Sequence, residues 1–423
     1  MQLVVFEDEK YEQLYPLSLT KAVFELKCGM TSLIEKIRRM YPANEICYFV
    51  RDYIVPTFKK RFPSDSVNDI RSLLGTDILI INGRCLFIDT PSDFLREEGW
   101  VGENNQVVLA KIRRETLGEF HGDNLEALLD FIKSKTKKVH LDYKIISYPW
   151  DLIHYNSVAL LDDFKNMKKS GIEGLLAKEA VIYGPKEHAY IAKKAEVHPF
   201  VCIDTNTGPV FIDEGAEIHP FTRIEGPCYI GKNSIILGAK IREGCSIGPV
   251  CRIGGEVEES IFHGYSNKFH DGFIGHSYIG EWVNLGALTT NSDLKNDYST
   301  VHVIIKGKPV DTGSTKLGSF IGDHTKTSIG TYMNTGAHIG ALCIIVSSGE
   351  VLPKYIPSGI WFINNSATKG FGLKRMLQTA ETVMARRKVL YTKEDAELLK
   401  KVYEMAKPDR DFLIKKTNSG KTF

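Results

Sequence analysis

The chain has 423 residues, of which 43% are hydrophobic and 25% charged, with a formal net charge of +2. This length exceeds one ordinary hydrophobic core and predicts two or three domains. The nearly neutral balance gives no indication of nucleic acid or an anionic membrane as a partner. No apolar run approaches the roughly 20 residues that span a bilayer, and Met1 leads into Leu3 to Phe6 without a basic leader, so we expect a cytoplasmic protein.

The eight cysteines form no CxxC pair and no zinc-binding spacing. In a chain of this size they are expected to be reduced thiols that act as small apolar core residues. Cys245 and Cys251 are six residues apart, and we expect no disulfide between them.

The first 175 residues alternate short apolar runs with helical patterns, which is typical of an α/β domain with a mostly parallel sheet. The predicted strands are Leu3 to Phe6, Glu45 to Val50, Asp77 to Ile81 and Gln106 to Ile112. The predicted helices are Thr31 to Met40 and Leu125 to Lys133.

From about Ile191 to Val351 an aliphatic residue recurs every six positions, as in Ile212, Ile218 and Ile224. A period of six fits neither an amphipathic helix nor a sandwich strand. It predicts a parallel β-helix, in which short strands form a coil with three flat sides and one aliphatic per side points inward. Glycines follow many of these aliphatics, including Gly231 and Gly248, and predict tight corners with positive φ.

The hexads are interrupted between Thr289 and Lys316, where Val301 to Ile305 predicts a strand between two turns. A polar excursion within a repeat array often carries function. After Val351, prolines predict the end of the coil, and two amphipathic helices follow. The predicted domains are therefore residues 1–175, 176–365 and 366–423.

The most specific motif lies between Glu258 and Asn291. Its features, in order, are His270, Ile274-Gly275, Ile279-Gly280 and Asn284-Leu285-Gly286-Ala287. This motif resembles the acetyltransferase half of the bifunctional N-acetylglucosamine-1-phosphate uridyltransferase and glucosamine-1-phosphate acetyltransferase family. The resemblance implies a left-handed hexapeptide β-helix, a homotrimer with active sites between subunits, acetyl-CoA as cosubstrate and an amino-sugar 1-phosphate as acceptor.

The resemblance also implies roles for individual residues. His270 is the candidate general base, because an imidazole with a pKa near 6.5 can accept a proton from the sugar amine at cellular pH. Backbone amides at Gly286 and Ala287 are candidates to stabilise the oxyanion. Other candidate substrate residues are Asn284, Lys268, Phe273, Asn291 and Lys295, and candidate acetyl-CoA residues are Lys326 and Ser347.

The N-terminal part resembles sugar-nucleotide pyrophosphorylases, which hold nucleotide phosphates on a glycine-rich loop. The corresponding stretch, Phe6 to Lys10, has no glycine and three acidic residues. The candidate residues of this domain are Lys21, Asn82, Gly83 and Asp151, but Arg84 stands where the family has a magnesium-binding aspartate. Arginine has no lone pair for a metal. We therefore expect a nucleotidyltransferase-like domain with degraded activity, which uses UTP and Mg²⁺ only if it is active.

Three alternatives remain open at this point. The first domain could be an active UDP-N-acetylglucosamine pyrophosphorylase. The protein could be a non-catalytic scaffold that binds sugar nucleotides. It could also be a zinc-dependent lyase that uses His263, His270 and His276, although the spacing of these histidines is irregular.

Overall fold

A computed structural model describes residues 1–42, 45–88, 97–103, 105–347 and 349–419. The chain forms two compact units. The first contains residues 1–12, 21–26 and 31–147, and the second contains residues 13–20, 27–30 and 148–423. Within the described ranges, no helix has the length and apolar character needed to cross a membrane.

The first unit is built on a six-stranded sheet, as the α/β pattern predicted. Its strands, in spatial order, are Ser66–Val67, Ile46–Phe49, Gln2–Phe6, Ile78–Asn82, Gln106–Ile112 and Gly99–Glu103. The first four strands are parallel, and the last two add antiparallel neighbours. Cys85–Leu86 and Lys144–Ile145 form a separate antiparallel pair, and Thr31–Ser32 is a short additional strand. The four predicted strands are confirmed, with ends shifted by one residue at most.

The helices of this unit are α1 (Leu33–Met40), α2 (Val55–Arg61), α3 (Arg114–Leu117) and α4 (Leu125–Lys135). Ser32 begins α1, because its hydroxyl accepts a hydrogen bond from the backbone of Glu35 while the Glu35 carboxylate accepts from the backbone of Ser32. Both predicted helices, α1 and α4, are confirmed.

The second unit begins its continuous part with α5 (Pro149–His154) and α6 (Asn156–Met167). A left-handed parallel β-helix follows, with three faces. Face 1 contains Gly171–Ile172, Ala189–Ile191, Val210–Ile212, Cys228–Ile230, Cys245–Ile247, Ile261–Gly264, Tyr278–Glu281, Phe320–Ile321, His338–Ile339 and Tyr355–Ile356. Aliphatics on successive turns pair directly, as Ile212 does with Ile230 and Ile230 with Ile247, and all three are fully buried. The six-residue period is thus the period of the inward-facing core.

Two further faces complete the coil. Face 2 contains Leu175–Leu176, Glu196–Val197, Glu217–Ile218, Asn267–Lys268, Lys326–Thr327, Ile344–Val346, Trp361–Ile363 and the antiparallel Ser366–Thr368. Face 3 contains Val181–Tyr183, Cys202–Asp204, Arg223–Glu225, Phe273–Gly275, Thr290–Asn291 and Tyr332–Met333. The long strands Ile235–Ile241 and Arg252–Glu258 pass from face 2 to face 3. Lys27–Cys28 is a short strand of the same unit.

The excursion between Thr289 and Lys316 is a β-hairpin of His302–Ile305 and Lys308–Asp311, which confirms the predicted strand and turn. The prediction that Pro353 and Pro357 end the coil was wrong, because Tyr355–Ile356 and Trp361–Ile363 continue its faces. Each proline lies before one of these strands and does not interrupt it. Three helices follow, one more than predicted: α7 (Gly372–Arg386), α8 (Lys393–Met405) and α9 (Lys407–Asn418).

The glycines after the aliphatics are required for space, and the prediction of positive φ at these positions was wrong. A Cβ on Gly248 would lie 2.0 Å from the carbonyl oxygen of His263 on the next turn. The left-handed conformation occurs instead at larger corner residues such as Tyr265 (φ 55°), Trp282 (φ 59°) and His324 (φ 62°). Adjacent turns therefore approach too closely for any side chain where these glycines lie. All eight cysteines are free thiols, as predicted.

Candidate functional site

His270 lies at an exposed corner of the coil, immediately after the face 2 strand Asn267–Lys268. Its imidazole stands edge-on to the ring of Phe269, with centroids 6.0 Å apart. In the part of the chain that the structure describes, no side chain hydrogen-bonds or pairs with this imidazole. The ring is therefore available to solvent or to a ligand, and any group that orients it comes from outside the described residues.

The same corner carries exposed apolar side chains along the coil. Backbone hydrogen bonds join its turns, from Phe221 to Phe200, from Leu288 to Asp271 and from Gly330 to Ala287. Four of these side chains are 57% to 78% accessible, and together we call them the apolar stripe: Phe200, Phe221, Leu288 and Ile329. The rings of Phe200 and Phe221 stack 5.8 Å apart. His270 thus lies on a corner that has the apolar character of an interface.

Asn284 and Lys326 come together on face 2, on turns that follow Asn267. Isolated bridges connect Asn267 to Asn284 and Asn284 to Lys326. The side-chain amide nitrogen of Asn267 donates to Asn284 Oδ1 at 3.2 Å, and the guanidinium of Arg387 donates to Asn267 Oδ1 at 2.9 Å. These contacts form one wall of a cavity of about 210 Å³ between face 2 and α7, which we call the α7 cleft. Its lining residues are Tyr265, Asn267, Trp282, Val283, Asn284, Lys326, Thr379, Val383, Arg386 and Arg387.

Lys326 lines this cleft but directs its ammonium to backbone carbonyls. Nζ donates to the carbonyl oxygens of Trp282 at 3.0 Å and His324 at 2.7 Å. Burial lowers the pKa of Lys326 to about 7, and Asp323 opposes that shift. Its charge is consequently poorly solvated at neutral pH, and an anion in the cleft would stabilise it.

Two predicted substrate residues point into the coil, and their assignment to sugar phosphate is corrected here. Lys268 is 1% exposed and occupies an inward position on face 2, where Nζ donates to the carbonyl oxygens of Gly254 at 2.8 Å and His270 at 3.0 Å. Burial lowers its pKa to about 8. Asn291 is 2% exposed and bonds both ways with the backbone of Gly275. The hexad register places both side chains inside, so they support the backbone near His270.

The remaining coil candidates lie apart from the cleft lining. Phe273 is half-buried on face 3, and its amide donates to Thr290 Oγ1. Lys295 bonds to Ser299 Oγ at 3.0 Å and to the Thr300 carbonyl within the excursion. Ser347 completes a local turn through Gly349.

Only one of the two predicted oxyanion amides is available. The Gly286 amide donates to Thr327 Oγ1 at 3.0 Å, which occupies it. Among the described residues the Ala287 amide has no hydrogen-bond acceptor. Ala287 lies at the same corner as His270, because the adjacent Leu288 amide donates to Asp271, the residue after His270.

In the first unit, internal arginines occupy the acidic loop. Arg84 is 2% exposed and donates to both carboxylate oxygens of Asp8, at 2.9 and 2.5 Å, and to the Ile146 carbonyl. Arg51 pairs with the buried Glu7 at 2.6 Å. Burial raises the pKa of Glu7, and Arg51 opposes this shift. Two of the three acids are therefore paired with arginines, so this loop would repel a triphosphate less than three free acids would.

The nucleotidyltransferase candidates have structural contacts. Asn82 donates to Asp8 Oδ2 and accepts from the Arg84 amide, and Gly83 has no space for a Cβ beside Phe24. Lys21 is 5% exposed, and its carbonyl accepts from Arg51. Asp151, in the second unit, accepts from the Tyr148 amide at the start of α5. In the first unit, the Asp8 carboxylate beside Asn82 is paired with Arg84, so it is not a free ligand for Mg²⁺.

The histidines of the zinc alternative have separate partners. His263 Nδ1 lies 2.8 Å from the Tyr278 hydroxyl, and His276 Nδ1 lies 2.8 Å from Asp293 Oδ2. Within the described ranges, no group of three or more histidine, cysteine or acidic residues is arranged to hold a metal ion.

Sequence reasoning missed the arginines and aromatic residues of the α7 cleft. Arg386 and Arg387 resemble ordinary basic residues at a helix end. A signal was nevertheless present, since Tyr265 and Trp282 have the same separation as Asn267 and Asn284, which is 17 residues and close to one turn of the coil. This spacing predicts stacked positions.

Known proteins share sequence with both units. A profile of the sugar nucleotidyl transferase family matches residues 3–171. A bifunctional sugar-1-phosphate nucleotidylyltransferase/acetyltransferase of Sulfurisphaera tokodaii is 39% identical over 107 residues, which are 25% of this chain and 26% of that protein. The bifunctional protein GlmU of Methanococcus maripaludis strain C5 is 30% identical over 246 residues, 54% of this chain and 50% of that protein.

A crystal structure of a UDP-N-acetylglucosamine acyltransferase aligns with 53% of this chain and 85% of its own, at 15% identity and a TM-score of 0.23. The chain spans about half the length of the Methanococcus relative and about a quarter of the Sulfurisphaera relative. Residues 3–171 therefore match the sugar nucleotidyl transferase family, and the chain is similar over part of its length to two proteins with bifunctional names, one of them a sugar-1-phosphate nucleotidylyltransferase/acetyltransferase.

Proposed function

We propose that the coil, residues 176–365, transfers an acetyl group from acetyl-CoA to the amine of an amino-sugar 1-phosphate, most specifically glucosamine 1-phosphate. The observation that carries the proposal is the exposed His270, which shares a corner with the free amide of Ala287 and follows the strand that borders the α7 cleft. The name of the Sulfurisphaera relative, a bifunctional sugar-1-phosphate nucleotidylyltransferase/acetyltransferase, supports an acetyltransferase that acts with sugar phosphates.

The chemistry follows from these groups. The lone pair of the neutral sugar amine attacks the thioester carbonyl carbon and forms the carbon–nitrogen bond, while His270 accepts one proton from that nitrogen. The Ala287 amide donates to the oxyanion that develops on the carbonyl oxygen. The tetrahedral intermediate then collapses: the carbon–sulfur bond breaks and the new carbon–nitrogen bond remains as the amide. The proton held by His270 passes to the departing thiolate. No cysteine lies in the motif, so we propose direct transfer without a covalent enzyme intermediate.

We further propose that second and third copies of the chain cover the apolar stripe and complete the site. His270 lacks an orienting partner among the described residues, and its corner is apolar and exposed. A homotrimer would supply that partner and exclude water from the thioester. The helical extension, residues 366–423, places α7 beside face 2 and thereby forms the cleft.

For the first unit, residues 1–175 in the proposed division, we propose a nucleotidyltransferase-like fold that no longer performs magnesium-dependent uridyl transfer. The support is the buried Arg84–Asp8 pair, which occupies the position where a metal-binding carboxylate is needed. The alternative of an active pyrophosphorylase is tested below.

The acetyl-transfer proposal is tested with the His270→Ala variant. We expect at least about a hundredfold loss of kcat for glucosamine 1-phosphate, because general base catalysis contributes on the order of 10² to 10⁴ in rate. Release of free thiol from acetyl-CoA measures the reaction. His198→Ala is the matched control, since His198 is part of a histidine stack with His219 elsewhere on face 2.

Unchanged turnover in His270→Ala with the assembly intact would remove the proposed base. A wild-type protein that binds acetyl-CoA in calorimetry but transfers no acetyl group to any amino-sugar phosphate would instead favour the non-catalytic scaffold.

A further inference from the structure

The α7 cleft concentrates positive charge without carboxylate partners. Arg386 and Arg387 line it, and Arg252 lies near enough to affect Arg387. Burial lowers the pKa of Arg387, and the charges of Arg252 and Arg386 lower it further. In the described part of the chain, none of these three guanidinium groups forms a salt bridge; Arg252 donates only to backbone carbonyls.

Like charges repel one another in this cluster, and a bound anion would relieve that repulsion. Arginines normally occur near carboxylates or phosphates, because the planar guanidinium forms paired hydrogen bonds with both. Here Arg387 is held in place by Asn267 and by the end of α7, so its orientation is fixed before any ligand arrives. The Arg387 guanidinium is thus partly buried, oriented by a neutral side chain and, among the described residues, without a carboxylate partner, which suits it to bind a phosphate group.

The opposite wall is aromatic. Tyr265 and Trp282 stack with centroids 4.3 Å apart and planes inclined by 18°, and Trp282 continues onto His324 at 6.1 Å. All three are corner residues with positive φ, so the coil backbone positions the column. Neighbouring amides of Asn267 and Asn284 can accept and donate hydrogen bonds. Because these rings stack on one another, a planar base would pack against the edges of the column that line the cleft, while its phosphates reach the arginines.

We propose that the α7 cleft is a nucleotide-binding site, in which Arg386 and Arg387 bind phosphate groups and the Tyr265–Trp282 wall contacts the base. Two sources share this chemistry: the nucleotide end of coenzyme A, and a free nucleoside phosphate that regulates the enzyme. The assignment of the cleft to coenzyme A rests on the proposed acetyl transfer, whereas the proposal that the cleft binds a nucleotide does not depend on it.

The test is isothermal titration calorimetry of the full-length protein with coenzyme A, adenosine 3′,5′-bisphosphate, ATP and UTP. We expect Arg386→Ala and Arg387→Ala each to weaken the Kd of the ligand that binds by about tenfold or more, because each removes charge-assisted hydrogen bonds. Arg375→Ala is the matched control, because Arg375 is an exposed arginine of the same helix that does not line the cleft. Trp282 fluorescence should change on binding, and Trp282→Phe should remove that signal.

The ligand panel distinguishes the two sources. Arginine-dependent binding of coenzyme A and adenosine 3′,5′-bisphosphate, but not of ATP or UTP, assigns the cleft to the acetyl donor. Arginine-dependent binding of ATP or UTP assigns it to a free nucleotide. If no nucleotide binds, or if the Arg386 and Arg387 variants bind as tightly as Arg375→Ala, the proposal is overturned. The same titrations on His270→Ala, which leaves the cleft intact, separate nucleotide binding from the acetyl-transfer proposal.

Discussion

At the residue scale, buried titratable groups inside the coil show how its geometry changes ordinary side-chain chemistry. Among the described residues, Lys268 inside the coil and Lys326 in the cleft wall both donate to carbonyl oxygens, and burial lowers the pKa of both. Carbonyls replace water as hydrogen-bond acceptors, but they do not solvate the positive charge as well. A cationic side chain in a coil is therefore a poor guide to phosphate binding until its direction is known.

His338 makes the pH dependence of stability testable. It is 5% exposed, the centroid of its ring lies 5.1 Å from that of Tyr355, and its Nδ1 has no hydrogen-bond partner in the described part of the chain. Burial lowers its pKa from 6.5 to about 4, while a hydrogen bond with the Ile304 backbone opposes the shift. The unfolded chain therefore binds a proton at a higher pH than the folded chain does. The contribution of the neutral His338 ring to the free energy of unfolding is therefore complete above pH 6.5 and is lost as the pH falls towards 4.

We expect His338→Gln to lose less stability on acidification than the wild type. The difference between their free energies of unfolding should change by up to about 3 kcal/mol between pH 7 and pH 4.5, since one pKa unit corresponds to about 1.4 kcal/mol. Urea unfolding at each pH measures it. His219→Gln is the control, because the His219 side chain is 30% accessible. If the free energies of unfolding of the wild type and His338→Gln fall in parallel as the pH is lowered, His338 does not contribute to the acid sensitivity of folding.

At the element scale, the corner that carries His270 exposes large apolar side chains on adjacent turns. Ile329 is 74% exposed and Leu288 57% exposed on adjacent described turns of this corner. A repeat structure contacts only its own neighbours within one chain, so an apolar corner is covered by another molecule or remains in water.

We expect Ile329→Glu to disrupt the oligomer and reduce acetyl transfer at least about tenfold, because a carboxylate buried in an apolar interface loses its hydration. Light scattering coupled to size exclusion measures the mass, and the thiol-release assay measures activity. Leu390→Glu is the control, since Leu390 is 76% exposed outside the coil. An Ile329→Glu protein with wild-type mass and activity would contradict this role of the corner.

At the scale of the whole molecule, the two units differ in how accessible their candidate residues are. In the second unit His270 is exposed, the Ala287 amide has no acceptor among the described residues, and the α7 cleft is open. In the first unit, Asp8 and Glu7 are paired with arginines that are themselves buried. Breaking such a pair leaves an uncompensated charge, so these acids are not available to bind a metal.

We therefore expect no robust release of pyrophosphate when the protein is incubated with UTP, Mg²⁺ and N-acetylglucosamine 1-phosphate. A coupled pyrophosphate assay measures it, and acetyl transfer by the same preparation shows that the protein is folded. Sustained pyrophosphate release would mean that the Arg84–Asp8 pair opens or that catalysis uses other groups, and the alternative of an active pyrophosphorylase would then be favoured.

The sequence by itself determined the three-sided coil, the strands of the first sheet and the position of the His270 motif, because these depend on periods of two, six and 3.6 residues that are local. Only the tertiary structure decided that Lys268 and Asn291 point inward, that Arg84 pairs with Asp8, and that the end of α7 completes a cleft with Tyr265 and Trp282. Those contacts join residues that are distant in the chain, and a local pattern carries no information about which distant groups neutralise a charge or which face a returning helix covers.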